Sequence, residues 1–163
     1  MIVAFTGTRH GMTPAQQAAF RTLMGRLRPG TFRHGLCKGA DEEASLLMAY
    51  FDPRPTIIGH PAMSTLWESG QAICDWRELP KDYLVRNREM VDQSGCLVAA
   101  PQEDERQRRG GTWYTIGYAE GKKPVYVIRP GGFVVLIPPA QKWTYENAVA
   151  YVKANQDQGE LFS

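Results

Sequence analysis

The chain has no long apolar run, few cysteines and almost no net charge. A formal charge of +2 over 163 residues is too small an excess to argue for nucleic acid by itself. Cys37, Cys74 and Cys96 are odd in number and show neither metal nor redox spacing. That pattern favours reduced, buried thiols in a cytosolic protein over a disulfide framework. The opening MIVAFTGTRHG lacks a basic leader and turns polar after five residues. It reads as a first strand, so neither signal peptide nor membrane span is expected, and the expected location is cytoplasmic. A Walker P-loop and a Rossmann G-x-G-x-x-G are both missing. No cofactor and no metal is expected, and no internal repeat is visible.

What is there alternates between strand and helix signals. IVAF is a buried strand ending in Thr6-Gly7-Thr8-Arg9. Thr13-Pro14 supplies an N-cap and N1 proline; Phe20, Leu23, Met24 and Leu27 follow at helical spacing until Pro29-Gly30. A second strand is expected around Phe32 to Gly35. The next helix begins at Asp41, read as its N-cap, with Ala44, Leu47, Met48 and Phe51 on the buried face. PTIIGH is a third strand. Residues 61–80 show no clean period and read as a long, partly ordered connection. A helix over Lys81 to Gln93 and the strand GCLVAAP follow. After the charged loop QEDERQRR come a glycine pair, a helix, and the strand PVYVI. Arg129 to Gly132 looks like a hairpin turn into FVVLI. A last helix is expected from about Ala140, with Tyr145, Ala148, Val149 and Val152 on one face. The expectation is an α/β protein: a single Rossmann-like three-layer domain over 1–155, its sheet mostly parallel with an antiparallel edge strand, and a flexible tail over 156–163.

In such sheets ligands bind beyond the carboxyl ends of the strands. Gly7, Thr8, Arg9, Gly35, Pro61 and Pro101 all follow strands and should converge on that rim. Gly110-Gly111-Thr112 precedes a helix, where glycine lets a ligand approach the backbone and free N–H groups attract an anion. Arg9 has the fork that matches phosphate. Gly35, Lys38, Gly39 and Asp41 would supply a phosphate or ribose wall. His10, His34 and His60 also sit at strand ends, each a candidate acid or base, with a metal site alongside Cys37 a further option. Glu89 and Glu120 read as surface charges.

Gly7-Thr8-Arg9, Gly39-Ala40-Asp41, Arg86-Asn87-x-x-Met90, Ala100-Pro101 and Gly111-Thr112-Trp113-x-Thr115 occur in that order. The set resembles the SLOG superfamily, which groups the DNA-processing protein DprA, the LOG cytokinin-activating enzymes and many nucleotide-ligand sensors. The resemblance covers roughly Ile2 to Pro130. It implies a nucleotide or nucleotide-derived ligand, bound through its phosphate with help from Arg86 and Asn87. LOG enzymes carry Gly-Gly-x-Gly-Thr-x-x-Glu, whose glutamate assists N-glycosidic cleavage; here Thr115 stands at that place. The arginine match is carried over, the acid catalyst is not, and no catalytic residue is named.

Three readings follow. A phosphate-gripping nucleotide binder comes first, and an N-glycoside hydrolase or transferase second. Third is a DprA-like single-strand binder, for which Trp113, Tyr114 and Tyr118 with Arg106, Arg108 and Arg109 would form a basic, stacking groove. A homodimer is compatible with the exposed helices and edge strand. The tail QGELF resembles the Gln-x-x-Leu-Phe peptide that docks on a sliding clamp, through Gln158, Leu161 and Phe162.

Overall fold

The computed structural model describes residues 1–139. The expected last helix from Ala140 and the clamp-like Gln158, Leu161 and Phe162 lie outside the described residues. Seven strands form one sheet: β1 (Ile2–Gly7), β2 (Thr31–His34), β3 (Thr56–Gly59), β4 (Trp76–Arg77), β5 (Cys96–Ala100), β6 (Val125–Ile128) and β7 (Val134–Ile137). Their order is β4-β3-β2-β1-β5-β6-β7, parallel throughout except the β6–β7 hairpin. The helices are α1 (Pro14–Leu27), α2 (Ala40–Ala49), α3 (Tyr83–Asp92) and α4 (Gly111–Ala119). Among the described residues no helix is long and apolar enough to cross a membrane.

Side-chain alternation in the strands builds the three layers. In β1, Val3 and Phe5 join Phe20, Leu23 and Met24 of α1 and Ala44 and Met48 of α2. Ala4 points the other way, to Met90 and Val91 of α3 and Trp113 and Ile116 of α4. β5 is buried along its whole length, with Cys96, Val98 and Ala100 on the first face and Leu97 and Ala99 on the second. Phe5, Phe20 and Phe32 form an aromatic triangle with centroids 5.4–6.0 Å apart.

Two expectations are refined. First, the long, partly ordered connection over residues 61–80 holds more order than its sequence shows. They carry β4, pairing Ile58 with Trp76 and Gly59 with Arg77, and are tied down along their length. Ser69 N–H donates to the Leu36 carbonyl and Lys38 N–H to the Trp67 carbonyl, both at 2.8 Å. Ile73 N–H donates to Ser45 Oγ at 2.9 Å, and Arg54 grips Asp75 with two bonds of 2.8 and 2.9 Å. A two-residue exposed strand has no periodicity to read. Second, Asp41 does not cap α2. Gly39 is the N-cap, at φ 85°, and a Cβ on that residue would come within 2.7 Å of the Thr8 carbonyl oxygen. Asp41 lies in the first turn, second residue of the helix, and accepts from the Gly35 and Cys37 N–H groups, at 3.0 and 3.2 Å.

The α1 start expected at Thr13-Pro14 is found there, reinforced by a capping box with Gln16. Gln16 does more than cap. Its buried amide Nε2 donates to the carbonyls of Pro101 (2.8 Å) and Ile128 (2.9 Å), fastening α1 to the ends of β5 and β6. Gln16→Ala strands these two carbonyls and the Thr13 N–H. The expected loss is about 2–3 kcal/mol of unfolding free energy, measured by urea denaturation; a loss below about 0.5 kcal/mol would show that water replaces the amide.

Candidate functional site

β1 has β2 on one side and β5 on the other, and the helices that follow β1 and β5 go to opposite faces of the sheet. The two loops therefore part, leaving a crevice at the strand ends. That crevice is the first of two adjoining lobes.

The first lobe, about 200 Å³, is lined from β1 by Gly7, Thr8, Arg9 and His10, and from the loop after β5 by Gln102, Glu103 and Arg109. Gly110 to Trp113 at the start of α4 and Tyr83 of α3 complete it. The β1 side is held firmly: Thr8 N–H donates to the Ala100 carbonyl at 3.0 Å and Ala40 N–H to the Thr8 carbonyl at 2.9 Å. On the facing side, α4 begins at Gly110, whose φ of 113° suits glycine alone, and no side chain caps the helix. The first α4 amides thus reach the lobe without a side-chain partner. Glu103 is the one carboxylate lining this lobe among the described residues, and its Oε2 accepts from the Trp113 indole at 3.0 Å.

The second lobe, about 380 Å³, opens beyond β2 and is more apolar. Met63, Leu66 and Trp67 of the 61–70 segment form one wall, with Ala62, Ser64 and Glu68 beside them. Gly35, Cys37, Asp82 and Tyr83 complete the lining. Arg9 and Tyr83 line both lobes. The Arg9 guanidinium lies 4.5 Å from the Trp67 ring centroid and 5.5 Å from that of Tyr83, a cation between two aromatic faces.

Of the expected site residues, Gly7, Thr8, Arg9, Gly110, Gly111 and Thr112 come together in the first lobe, and Gly35 joins Arg9 in the second. Lys38, Gly39, Asp41, Pro61, Arg86, Asn87, Pro101 and Thr115 line neither. The physical reasons are specific. Arg86 is turned inward and almost fully buried: Nη1 donates to the Gly35 and His60 carbonyls, Nε to Asn87 Oδ1 at 2.7 Å, and the guanidinium lies 4.8 Å from the Tyr83 ring centroid. It stitches the end of β2 to the end of β3. The Pro101 carbonyl is taken by Gln16, and buried Thr115 donates to the Gly111 carbonyl at 2.7 Å. Gly39 is the N-cap of α2, and the Lys38 N–H holds the Trp67 carbonyl. Tyr83, Glu103 and the 62–68 residues carried no sequence signal, and Arg109 was named only as part of the basic stretch.

The histidines also divide. His10 is exposed in the first lobe, whereas His34 and His60 are buried and line neither lobe. His34 Nδ1 accepts from Leu36 N–H at 3.2 Å while Nε2 meets the Ile73 carbonyl at 2.8 Å. Burial lowers its pKa to about 4, with Arg86 adding to the effect. His60 is lowered to about 3 by burial, then by Arg33, whose Nη1 lies 3.0 Å from His60 Nε2. Burial raises Asp41 to about 6 against the opposing pull of Arg86, and raises the Cys37 thiol. Among the described residues no three His, Cys, Asp or Glu side chains converge as metal ligands would. The basic stretch is split: Arg106 pairs with Glu120 and lies over Trp113 at 5.8 Å, while Arg109 turns to the first lobe.

No protein-family model matches the chain, and no curated protein does. Solved structures share the fold. One is the molybdenum cofactor binding protein from the phototrophic bacterium Rippkaea orientalis, 17% identical, matching 94% of this chain and 95% of that chain with a TM-score of 0.59. Another is TM1055, a structural genomics target, 18% identical, matching 94% of this chain and 98% of that chain with a TM-score of 0.59.

The buried histidines set a pH dependence. A folded pKa below the unfolded 6.5 means that the unfolded chain binds more protons, so this contribution is whole above pH 6.5 and is lost as pH falls toward 4. Asp41, raised from 3.8 to about 6, works oppositely, its contribution fading as pH rises through 6. His34→Gln keeps a donor for Ile73 but cannot titrate. The drop in stability between pH 6.5 and 4.5 should therefore be smaller in H34Q than in the parent by about 2 kcal/mol. Urea midpoints at the two pH values measure it, and equal drops would place the titration elsewhere.

Proposed function

We propose that this protein binds a nucleotide or nucleotide-derived small molecule, with its phosphate in the first lobe. The observation that carries this reading is the uncapped start of α4, with Arg109 beside it and Arg9 on the β1 side of a crevice at the sheet's switch point. Backbone N–H groups and the positive end of the helix favour an anion there. The Thr112 hydroxyl is within the same lining, and the arginine forks suit phosphate oxygens. A fold neighbour named for binding the molybdenum cofactor is in keeping with a small-molecule ligand.

Glu103 favours a second reading, N-glycosidic cleavage. The position of the LOG glutamate is held by buried Thr115, whose hydroxyl is already bonded, whereas Glu103 brings a carboxylate to the lobe from the loop after β5. There it could stabilise a cationic sugar centre or activate water. The single-strand reading has less support: the Trp113 face is largely buried and its indole N–H is engaged.

Isothermal calorimetry with AMP, GMP, cyclic AMP and adenosine, followed by mass spectrometry of the recovered ligand, tests both readings. Expected is binding of a phosphorylated compound but not of adenosine, competition by inorganic phosphate, and a loss of about tenfold in Arg9→Ala. An intact ligand marks a binder. Release of free base and sugar phosphate, abolished in Glu103→Gln, marks the enzyme. If no phosphorylated compound binds, the proposal fails.

A further inference from the structure

The first lobe contains one group at odds with the rest. Arg9, Arg109 and the first amides of α4 are donors, and the hydroxyls of Thr8 and Thr112 are able to donate. Lined by these alone, the lobe would take any tetrahedral oxyanion. Glu103 lines it as well, and a carboxylate can only accept. We infer that Glu103 is a specificity-determining residue: it admits a phosphate monoester bearing a P–OH and turns away sulfates and phosphodiesters. This rests on the phosphate reading above and narrows the ligand class.

The carboxylate is held in place and left unneutralised. Its Oε2 accepts from the Trp113 indole at 3.0 Å, and Trp113 belongs to the buried cluster on the second face of the sheet. Among the described residues Oε1 has no hydrogen-bond partner. Nor does Glu103 join any ion pair there, although Arg9 and Arg109 line the same lobe. Arg106 lies over the Trp113 ring but is paired with Glu120. The remaining titratable groups of the lobe are His10 and Tyr83. In a space of about 200 Å³ a bound tetrahedral anion lies close to every lining group. An oxygen without a hydrogen would be repelled by Glu103, whereas a P–OH would donate to it. Selection of this kind works by the repulsive contact as much as by the attractive one.

Only certain ligands supply that hydrogen. A phosphate monoester loses its second proton at about pH 6, so near neutrality part of it carries a P–OH. A sulfate or sulfate ester carries none there. Nor does a phosphodiester, whether a cyclic nucleotide or the backbone of a nucleic acid. The lobe therefore suits a terminal, uncyclised phosphate. Its bare oxygens meet the donors of Arg9, Arg109 and α4, and its protonated oxygen meets Glu103.

Calorimetry with two matched pairs tests this: inorganic phosphate against sulfate, and AMP against its methyl diester. At about pH 6 the first of each pair should bind about tenfold tighter or more. The preference should shrink toward about pH 8 as the P–OH is lost. Any contribution of His10 acts on both members of a pair and cancels in the ratio. Glu103→Gln keeps the shape of the side chain and gains a donor. It should strengthen sulfate and diester binding by about fivefold or more and bring both ratios toward one; a gain in affinity cannot come from misfolding. Neither inorganic ion can be cleaved, so the first pair is decisive for a binder and an enzyme alike. Should inorganic phosphate bind too weakly to measure, the AMP pair alone decides. Equal affinities within the pairs, or a preference that E103Q leaves intact, overturn the role of Glu103 while phosphate binding stands. If no phosphorylated compound binds, both readings fall.

Discussion

Everything at the site depends on the placement of β1. A strand with its parallel neighbours wound in opposite directions cannot have both following loops cross the same ground. The loop after β1 turns toward α1 and the loop after β5 toward α4, on the other face. The gap between them is a product of connectivity, and no side chain had to be removed to open it. The side chains decide only what the gap is lined with, and here they supply two arginines, one carboxylate and a bare helix start.

Around that gap the protein fixes its loops with polar groups buried in the interior. Gln16 links α1 to β5 and β6. On the opposite flank Arg86 joins the carbonyls after β2 and β3, while Asp41 gathers two amides of the turn before α2. Such groups cost desolvation and return it only when each bond is made. The return here is positional: the turns that carry Arg9, Gly35 and Cys37 are held by partners rather than by packing alone. The shifts at His34, His60 and Asp41 are signs of the same dry environment.

How much of this was legible depended on the range over which each signal acts. The strand IVAF, the Thr13-Pro14 helix start and the Gly110-Gly111-Thr112 turn act locally, within a few residues, and could be read directly. The antiparallel final hairpin was legible from its turn residues, and the sheet order's central crevice from strand–helix alternation. The bonds of Arg86 were not, because a charged residue in a helix gives no sign of which distant carbonyls it will meet. β4 is fixed by pairing with β3 and by the Arg54–Asp75 contact, both long-range, and its two residues carry no pattern. The 62–68 wall looked like a connection for the same reason: its order comes from Leu36 and Lys38, some thirty residues earlier.

The position of Arg9 has a consequence for how such a site can change. Because one side chain touches both Trp67 and Tyr83 and borders both lobes, substitutions in the two lobes should not behave as independent steps. Residues sharing a partner commonly show interaction energies of about 0.5–3 kcal/mol. A substitution acquired at Trp67 would therefore carry a side effect on the first lobe, and its outcome would depend on the order in which neighbouring changes arrived. The two lobes would change together, as one epistatic unit.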